Sequence, residues 1–303
     1  MSDETQPNEQ ELWKLISETE GEERAEVLVF LSYLARNKGD FRECLALCET
    51  ARDLYEDAGS KIGNAALANV YKGISHSLRH LNRPADAAIA IDRTIDLYRE
   101  IGSSEAITAI RNEASAWYDA KNYEKSLEFC VKALKEPNPD CEKVDLGRDL
   151  YHLSEAYLKL ERWQEALQAL LSGRQHFKES GHVVYVAYCD EDISECYYKL
   201  NNGMEALNHA QKALDFAVTS RDENRLYWAN ARMAYAKKLL DELDEAESYF
   251  EKALTIIHDG GEPEWKYVIE VEQQLAGILL AKGDPQGASA IYRRLRTLEE
   301  TLT

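Results

Sequence analysis

The sequence predicts an all-α fold, an α-α superhelix of about seven helical hairpins with a short N-terminal capping helix. A small residue recurs at Cys44, Ala87, Ser126, Ala166, Ala206, Ala246 and Ala288, at intervals of 43, 39, 40, 40, 40 and 42 residues. A period in that range marks stacked supersecondary units instead of one globular core. Three residues before each anchor stands a turn-marking residue: Phe41, Pro84, Tyr123, Trp163, Gly203, Leu243 or Pro285. Small or hydroxyl side chains also stand twelve residues before each anchor, at Ser32, Ser75, Ala114, Ser154, Ser194, Ala234 and Ala276. Such residues let helices approach closely.

The elements follow in order. A helix over about 8–19 is expected to cover the apolar side of the first unit with Trp13 as its plug, so that 1–21 comprises a disordered start and a cap. Residues 22–301 are then read as a single solenoid with units 22–59, 61–102, 104–139, 142–181, 182–222, 224–260 and 264–301. The unit from Glu142 is the clearest. Leu150, Leu153, Ser154 and Tyr157 recur at helical spacing, the pattern breaks at 160–163, and Ala166, Leu167, Leu170 and Leu171 restart it. Gly59, Gly102, Gly181 and Gly260-Gly261 sit where second helices must stop, and Pro137-Asn138-Pro139 ends the third. Seven residues past the first six anchors stand Ala51, Thr94, Ala133, Gly173, Ala213 and Ala253. The seventh unit has Leu295 instead, as expected where no further unit packs.

Composition narrows function. Thirty-six Lys plus Arg stand against 55 Asp plus Glu, a net charge of −19, which disfavours nucleic acid and anionic membranes as partners. The acidic, polar start has no signal-peptide character, and no apolar run approaches the ~18 residues that span a bilayer, so a cytoplasmic location is expected. The six cysteines contain no CxxC and read as reduced packing residues. No phosphate loop, GxSxG or HExxH is present, so neither an enzyme nor a cofactor is expected. His76 and His80 stand four apart but lack an acidic partner between them, which argues against a metal site. Trp117, Trp163, Tyr157 and Tyr197 fall at packing positions.

The repeated residues carry a resemblance to the tetratricopeptide repeat family. The best match is LYHLSEAYLKLERWQEAL (150–167), with tails such as FEKAL (250–254). Units near 40 residues, with DLYEDAGS (53–60) and DLYREIGS (96–103), are similar to the longer repeats of bacterial signalling regulators and kinesin light chains. The resemblance implies that each unit's first helix lines a concave, ligand-binding side. Carried over by alignment, the lining holds Lys72, His76, Arg79 and His80, then Arg111 and Asn112, then Arg148, Tyr151 and His152. It continues through Tyr188, Glu191, Asp192, Glu195 and Tyr198, and then Trp228, Arg232, Tyr235 and Lys238. Lys72, His76, Asn112, Arg148 and His152 also resemble, in spacing, the carboxylate clamp of chaperone-binding members.

The expected function is therefore a non-catalytic scaffold for a protein or peptide ligand. Lys72, Arg111 and Arg148 would meet acidic groups, Asn112 the ligand main chain, Trp228 an apolar side chain, and Glu191 and Glu195 a basic section. A standalone peptide-sensing regulator, similar to bacterial pheromone receptors, is the first alternative. A structural adaptor that self-associates through its terminal repeats is the second.

Overall fold

The computed structural model describes residues 9–58, 63–136, 142–259 and 265–302. Among these residues it has fifteen α-helices and no strand. The chain divides into two compact units, 1–139 and 140–303. In the first, the short α1 (Glu9–Glu18) precedes three hairpins: α2 (Gly21–Asn37) with α3 (Phe41–Ala58), α4 (Gly63–His80) with α5 (Pro84–Glu100), and α6 (Glu105–Asp119) with α7 (Tyr123–Lys135). The second has four: α8 (Lys143–Lys159) with α9 (Trp163–Glu179), α10 (Val183–Lys199) with α11 (Gly203–Ser220), α12 (Glu223–Leu239) with α13 (Leu243–Asp259), and α14 (Trp265–Ala281) with α15 (Pro285–Leu302).

Every second helix begins at the turn-marking residue three before its anchor. The anchors are 2% exposed or less, and the small residues twelve positions earlier 4% or less. The two positions face each other across a hairpin. Ser126 Oγ donates to the Ala114 carbonyl at 2.9 Å, and Ser194 Oγ donates to the Ala206 carbonyl at 2.9 Å. A side chain longer than Ser or Ala at either place would force the helices apart. Glycine extends the same logic at Gly147, where an added Cβ would lie 2.9 Å from the Phe177 ring.

The turns inside the hairpins share one geometry. Five residues before each anchor the backbone is left-handed, at Gly39, Asn82, Lys121, Glu161, Asn201, Asp241 and Gly283. The next residue's N–H reaches back five positions, as in Asn122 to the Trp117 carbonyl at 2.9 Å and Asn202 to Tyr197 at 2.8 Å. This double closure satisfies carbonyls that a helix end leaves open. Asn122 and Asn202 then cap the following helix, accepting from the Lys125 and Glu205 N–H groups.

Polar pins supplement the apolar packing. Asp190, 2% exposed, takes two 2.9 Å bonds from Arg174 of α9 and lies 2.5 Å from Nδ1 of His209 of α11. Burial pushes its carboxyl up, but the hydrogen bonds from His209 and Arg174 outweigh burial and hold it below the usual range. One chain segment thus fastens α9, α10 and α11.

Several expectations meet the structure differently. Trp13 is 44% exposed, and Leu12, at 5%, is the residue of α1 that plugs the first hairpin. Leu12 and, one turn on, Ile16 form the stripe that α1 turns inward, and Trp13 lies to its side. Leu295 is 4% exposed inside its own hairpin. Trp117 is buried, whereas Tyr157, Trp163 and Tyr197 are half-buried, with Arg162 4.6 Å over Tyr157 and Lys199 5.4 Å over Trp163. Gly102 and Gly181 adopt positive φ after their helices. Gly59, Gly260, Gly261 and the Pro137–Pro139 stretch lie outside the described residues, as does Cys141. The other five cysteines are buried. No helix among the described residues is long and apolar enough to cross a membrane.

Candidate functional site

Within each of the two units, side-chain bonds join successive first helices, and there the alignment-derived residues gather. In the second unit they form a ladder of side-chain bonds. Tyr151 of α8 donates to Asp192 of α10 at 3.1 Å. Glu191 of α10 accepts from Arg225 of α12 at 2.8 Å, and the Arg225 guanidinium lies 3.5 Å over the Tyr188 ring. Glu195 accepts from Arg232. Tyr235 of α12 donates to Glu270 of α14 at 3.0 Å, and Lys238 donates to Gln274 at 2.6 Å. Aromatic contacts run beside the bonds, Tyr198 to Tyr235 at 5.0 Å and Trp228 to Tyr267 at 4.5 Å, edge to face.

These bonds change what the carboxylates can offer. Glu191 is 5% exposed and committed to Arg225, while Glu195 is committed to Arg232. Both therefore join helices instead of standing open toward a ligand. Tyr235 is 7% exposed and packs edge-on against Phe250. Trp228 is half-buried, with Arg232 5.8 Å over its ring. Arg148 and His152 are exposed. Arg148 pairs locally with Asp145 at 3.3 Å and His152 with Glu155 at 2.9 Å.

Asp192 differs from its neighbours. It is half-buried, its hydrogen bond comes from a neutral phenol, and Arg232 is already held by Glu195. Burial, with Glu195 and Glu191 alongside, raises its carboxyl to about 7, against the partial opposition of Arg232 and Tyr151. Glu191 is raised too, because burial outweighs Arg225, and its Oε1 is buried without a hydrogen-bond partner. Between α8, α10 and α12 the ladder therefore sets three carboxyls, Glu191, Asp192 and Glu195, against two guanidiniums, Arg225 and Arg232, and the bond to Asp192 comes from the Tyr151 hydroxyl.

In the first unit the lining is assembled differently. Arg79 of α4 bonds Glu113 of α6 at 3.0 Å, and Glu113 is 1% exposed. His76 and His80 pack on Phe41, His80 stacked at 3.9 Å and His76 edge-on at 5.8 Å. Burial first, then His80, Arg79 and Arg36 nearby, lower His76 to about 4, so it is a neutral packing ring near pH 7. Lys72 helps line a cleft of about 200 Å³ between α2, α3 and α4, together with Tyr33, Arg36, Cys44, Cys48 and Asn69. Arg111 is half-buried and Asn112 exposed on α6.

Arg225, Tyr267, Glu270 and Gln274 belong to the ladder but escape a reading by family alignment. A signal for them exists. Partners across first helices stand 34 to 37 residues apart in five pairs, from Arg79–Glu113 to Glu195–Arg232. The same separation also joins the two helices of one hairpin, as in Lys143–Glu179, so the spacing narrows the choice without singling out the ladder.

No protein-family model matches the chain, and no curated protein matches it by sequence. Solved structures do match. A signal transduction ATPase with numerous domains (STAND) that carries a tetratricopeptide repeat sensor, from Pyrococcus horikoshii, superimposes with a TM-score of 0.68 at 16% identity over 96% of this chain. The chain has the tetratricopeptide-repeat fold. It spans 44% of the length of that STAND protein. Two further tetratricopeptide-like neighbours are the apo form of RapI, with a TM-score of 0.62 at 11% identity, and a Rap protein complexed with competence and sporulation factor, at 0.56 and 14%. They match 91% and 90% of this chain and 77% and 76% of their own.

Proposed function

We propose that the chain is a non-catalytic scaffold that binds a protein or peptide segment along its first-helix lining, and that Asp192 reads a basic side chain of that ligand. The carrying observation is the placement of Asp192. A half-buried carboxylate beside two others, with the nearby guanidinium already engaged, is destabilised until a cation arrives. An arginine or lysine side chain would relieve it, and half-buried Trp228 of α12 offers an aromatic surface to the rest of the residue. In the first unit, exposed Asn112 suits a ligand main-chain amide, and Lys72 and Arg111 suit its acidic groups.

The test uses matched fluorescent octapeptides that differ in having arginine, glutamine or glutamate at one central position. The arginine peptide is expected to bind best, with affinity falling as salt rises. Asp192→Asn should remove that preference, by about tenfold or more, in a protein of unchanged helicity. Equal binding of all three peptides, or an unchanged preference in the variant, would sink the assignment.

A second reading is a standalone peptide-sensing regulator. The Rap structure with competence and sporulation factor favours it, because most of this chain matches most of that one. X-ray scattering with the bound arginine peptide separates the readings: a sensor contracts on binding, whereas a passive scaffold keeps its radius of gyration.

A further inference from the structure

Two positions one turn apart recur on each second helix, the anchor and the residue four places beyond it. The anchors are Ala, Ser or Cys, and the residues beyond them are Cys48, Ile91, Cys130, Leu170, Ala210, Phe250 and Tyr292. Packing by itself accepts alanine at both positions, as Ala206 and Ala210 show by their complete burial. Only the first hairpin carries a thiol at each, Cys44 and Cys48 of α3. The two thiols lie within hydrogen-bonding reach of each other, and both line the cleft of about 200 Å³ between α2, α3 and α4. Cys48 meets the cleft wall at Gly73 of α4, where an added Cβ would lie 2.9 Å from its sulfur. A side chain there would crowd the sulfur, and glycine inside a helix is otherwise unfavourable.

The same cleft holds two positive side chains that have no carboxylate partner among the described residues: Arg36, 4.9 Å over the Tyr33 ring, and Lys72. In a chain of net charge −19, that local excess suits an anionic group beside it. The thiols do not supply one by closing into a disulfide. Side chains four apart on a helix have Cβ atoms about 5–6 Å apart, beyond the ~3.5–4.5 Å that a disulfide allows. An ion can bridge them instead, through two bonds of roughly 2.3 Å. No group of three His, Cys, Asp or Glu able to hold a metal stands among the described residues, so zinc, which takes four ligands, does not fit. A soft monovalent cation satisfied by two thiolates does. We propose that Cys44 and Cys48 form a two-sulfur site for Cu(I), reached through the cleft. Two thiolates and one Cu(I) carry a single net negative charge, which Arg36 and Lys72 balance. Protons held by the thiols leave as the ion binds.

Anaerobic titration of the full, reduced chain with Cu(I), against a chromophoric Cu(I) chelator as competitor, tests this. One tightly held ion per chain is expected, with two sulfurs around it in X-ray absorption spectra and no displacement by excess Zn(II). Cys44→Ala and Cys48→Ala should each weaken binding by more than the ~10–100-fold that losing a merely supporting residue costs. Each variant places alanine where Ala206 or Ala210 stands in another hairpin, so helicity should be kept. Arg36→Gln combined with Lys72→Gln should weaken binding by about tenfold at unchanged stoichiometry. Cys189→Ala, on α10 in the other compact unit, should bind as the wild type does. A wild type without a tight Cu(I) site, wild-type affinity in either Cys44→Ala or Cys48→Ala, loss of the site in Cys189→Ala, or displacement by Zn(II) would each overturn the proposal.

Discussion

At the scale of single residues, Asp192 is kept at a cost. Its folded-state pKa, about 7, lies above the ordinary carboxylate value of 3.8. The folded form therefore favours the proton, and the stability linked to this group is fully present below pH 3.8 and lost as pH rises through 7. Asp192→Asn removes the charge while keeping an oxygen for the Tyr151 hydroxyl. At pH 8 the variant should be more stable by roughly 1–2 kcal/mol in urea unfolding, with a shallower decline between pH 4 and 7. A variant less stable than wild type at pH 8 would show that Arg232 compensates the charge fully. Gaining stability while losing the arginine-peptide preference is the pattern of a residue retained for binding.

At the scale of elements, the hairpins depend on small residues where two helices cross. Ala166 is fully buried, and so is Ser154, the small residue twelve positions before it on α8. Ala166→Leu should destabilise the protein by about 1–3 kcal/mol, because the crossing has no room for three more carbons. Thermal denaturation followed by circular dichroism measures this, and an unchanged midpoint would mean that the helix separation is slack. These elements were largely legible, because packing restricts residue type: only small side chains fit the crossings, and they repeat. The left-handed turn residue was not legible. Glycine, asparagine, lysine, glutamate and aspartate all occupy it, since a hydrogen-bonded turn can absorb the ~1–2 kcal/mol that a side chain costs there. The role of Leu295 was not legible either. Leu295 drew attention by its size, yet its position faces the hairpin's own core, and Tyr292 is the residue left open.

At the scale of the whole chain, charge dominates. A net −19 spread over a helical protein repels itself, while most of its ion pairs lie at exposed positions where each contributes little. Raising salt from a few millimolar toward physiological strength should therefore raise the melting temperature, by a few degrees, as screening sets in. A fall instead would mean that the half-buried ladder, Arg225–Glu191 and Arg232–Glu195 above all, outweighs the general repulsion.

The sequence by itself determined the helices, their pairing and the residues that stand at each crossing. Those depend on local periodicity and on side-chain size, and both are written along one dimension. Tertiary structure alone decided which lining residues are spoken for. Glu191 and Glu195 look identical to Asp192 in a list of acidic side chains on α10. Only the approach of α8 and α12 hands the first two to arginines and leaves the third with a tyrosine hydroxyl. Charge compensation depends on distance between helices 34 or more residues apart, which no local pattern encodes.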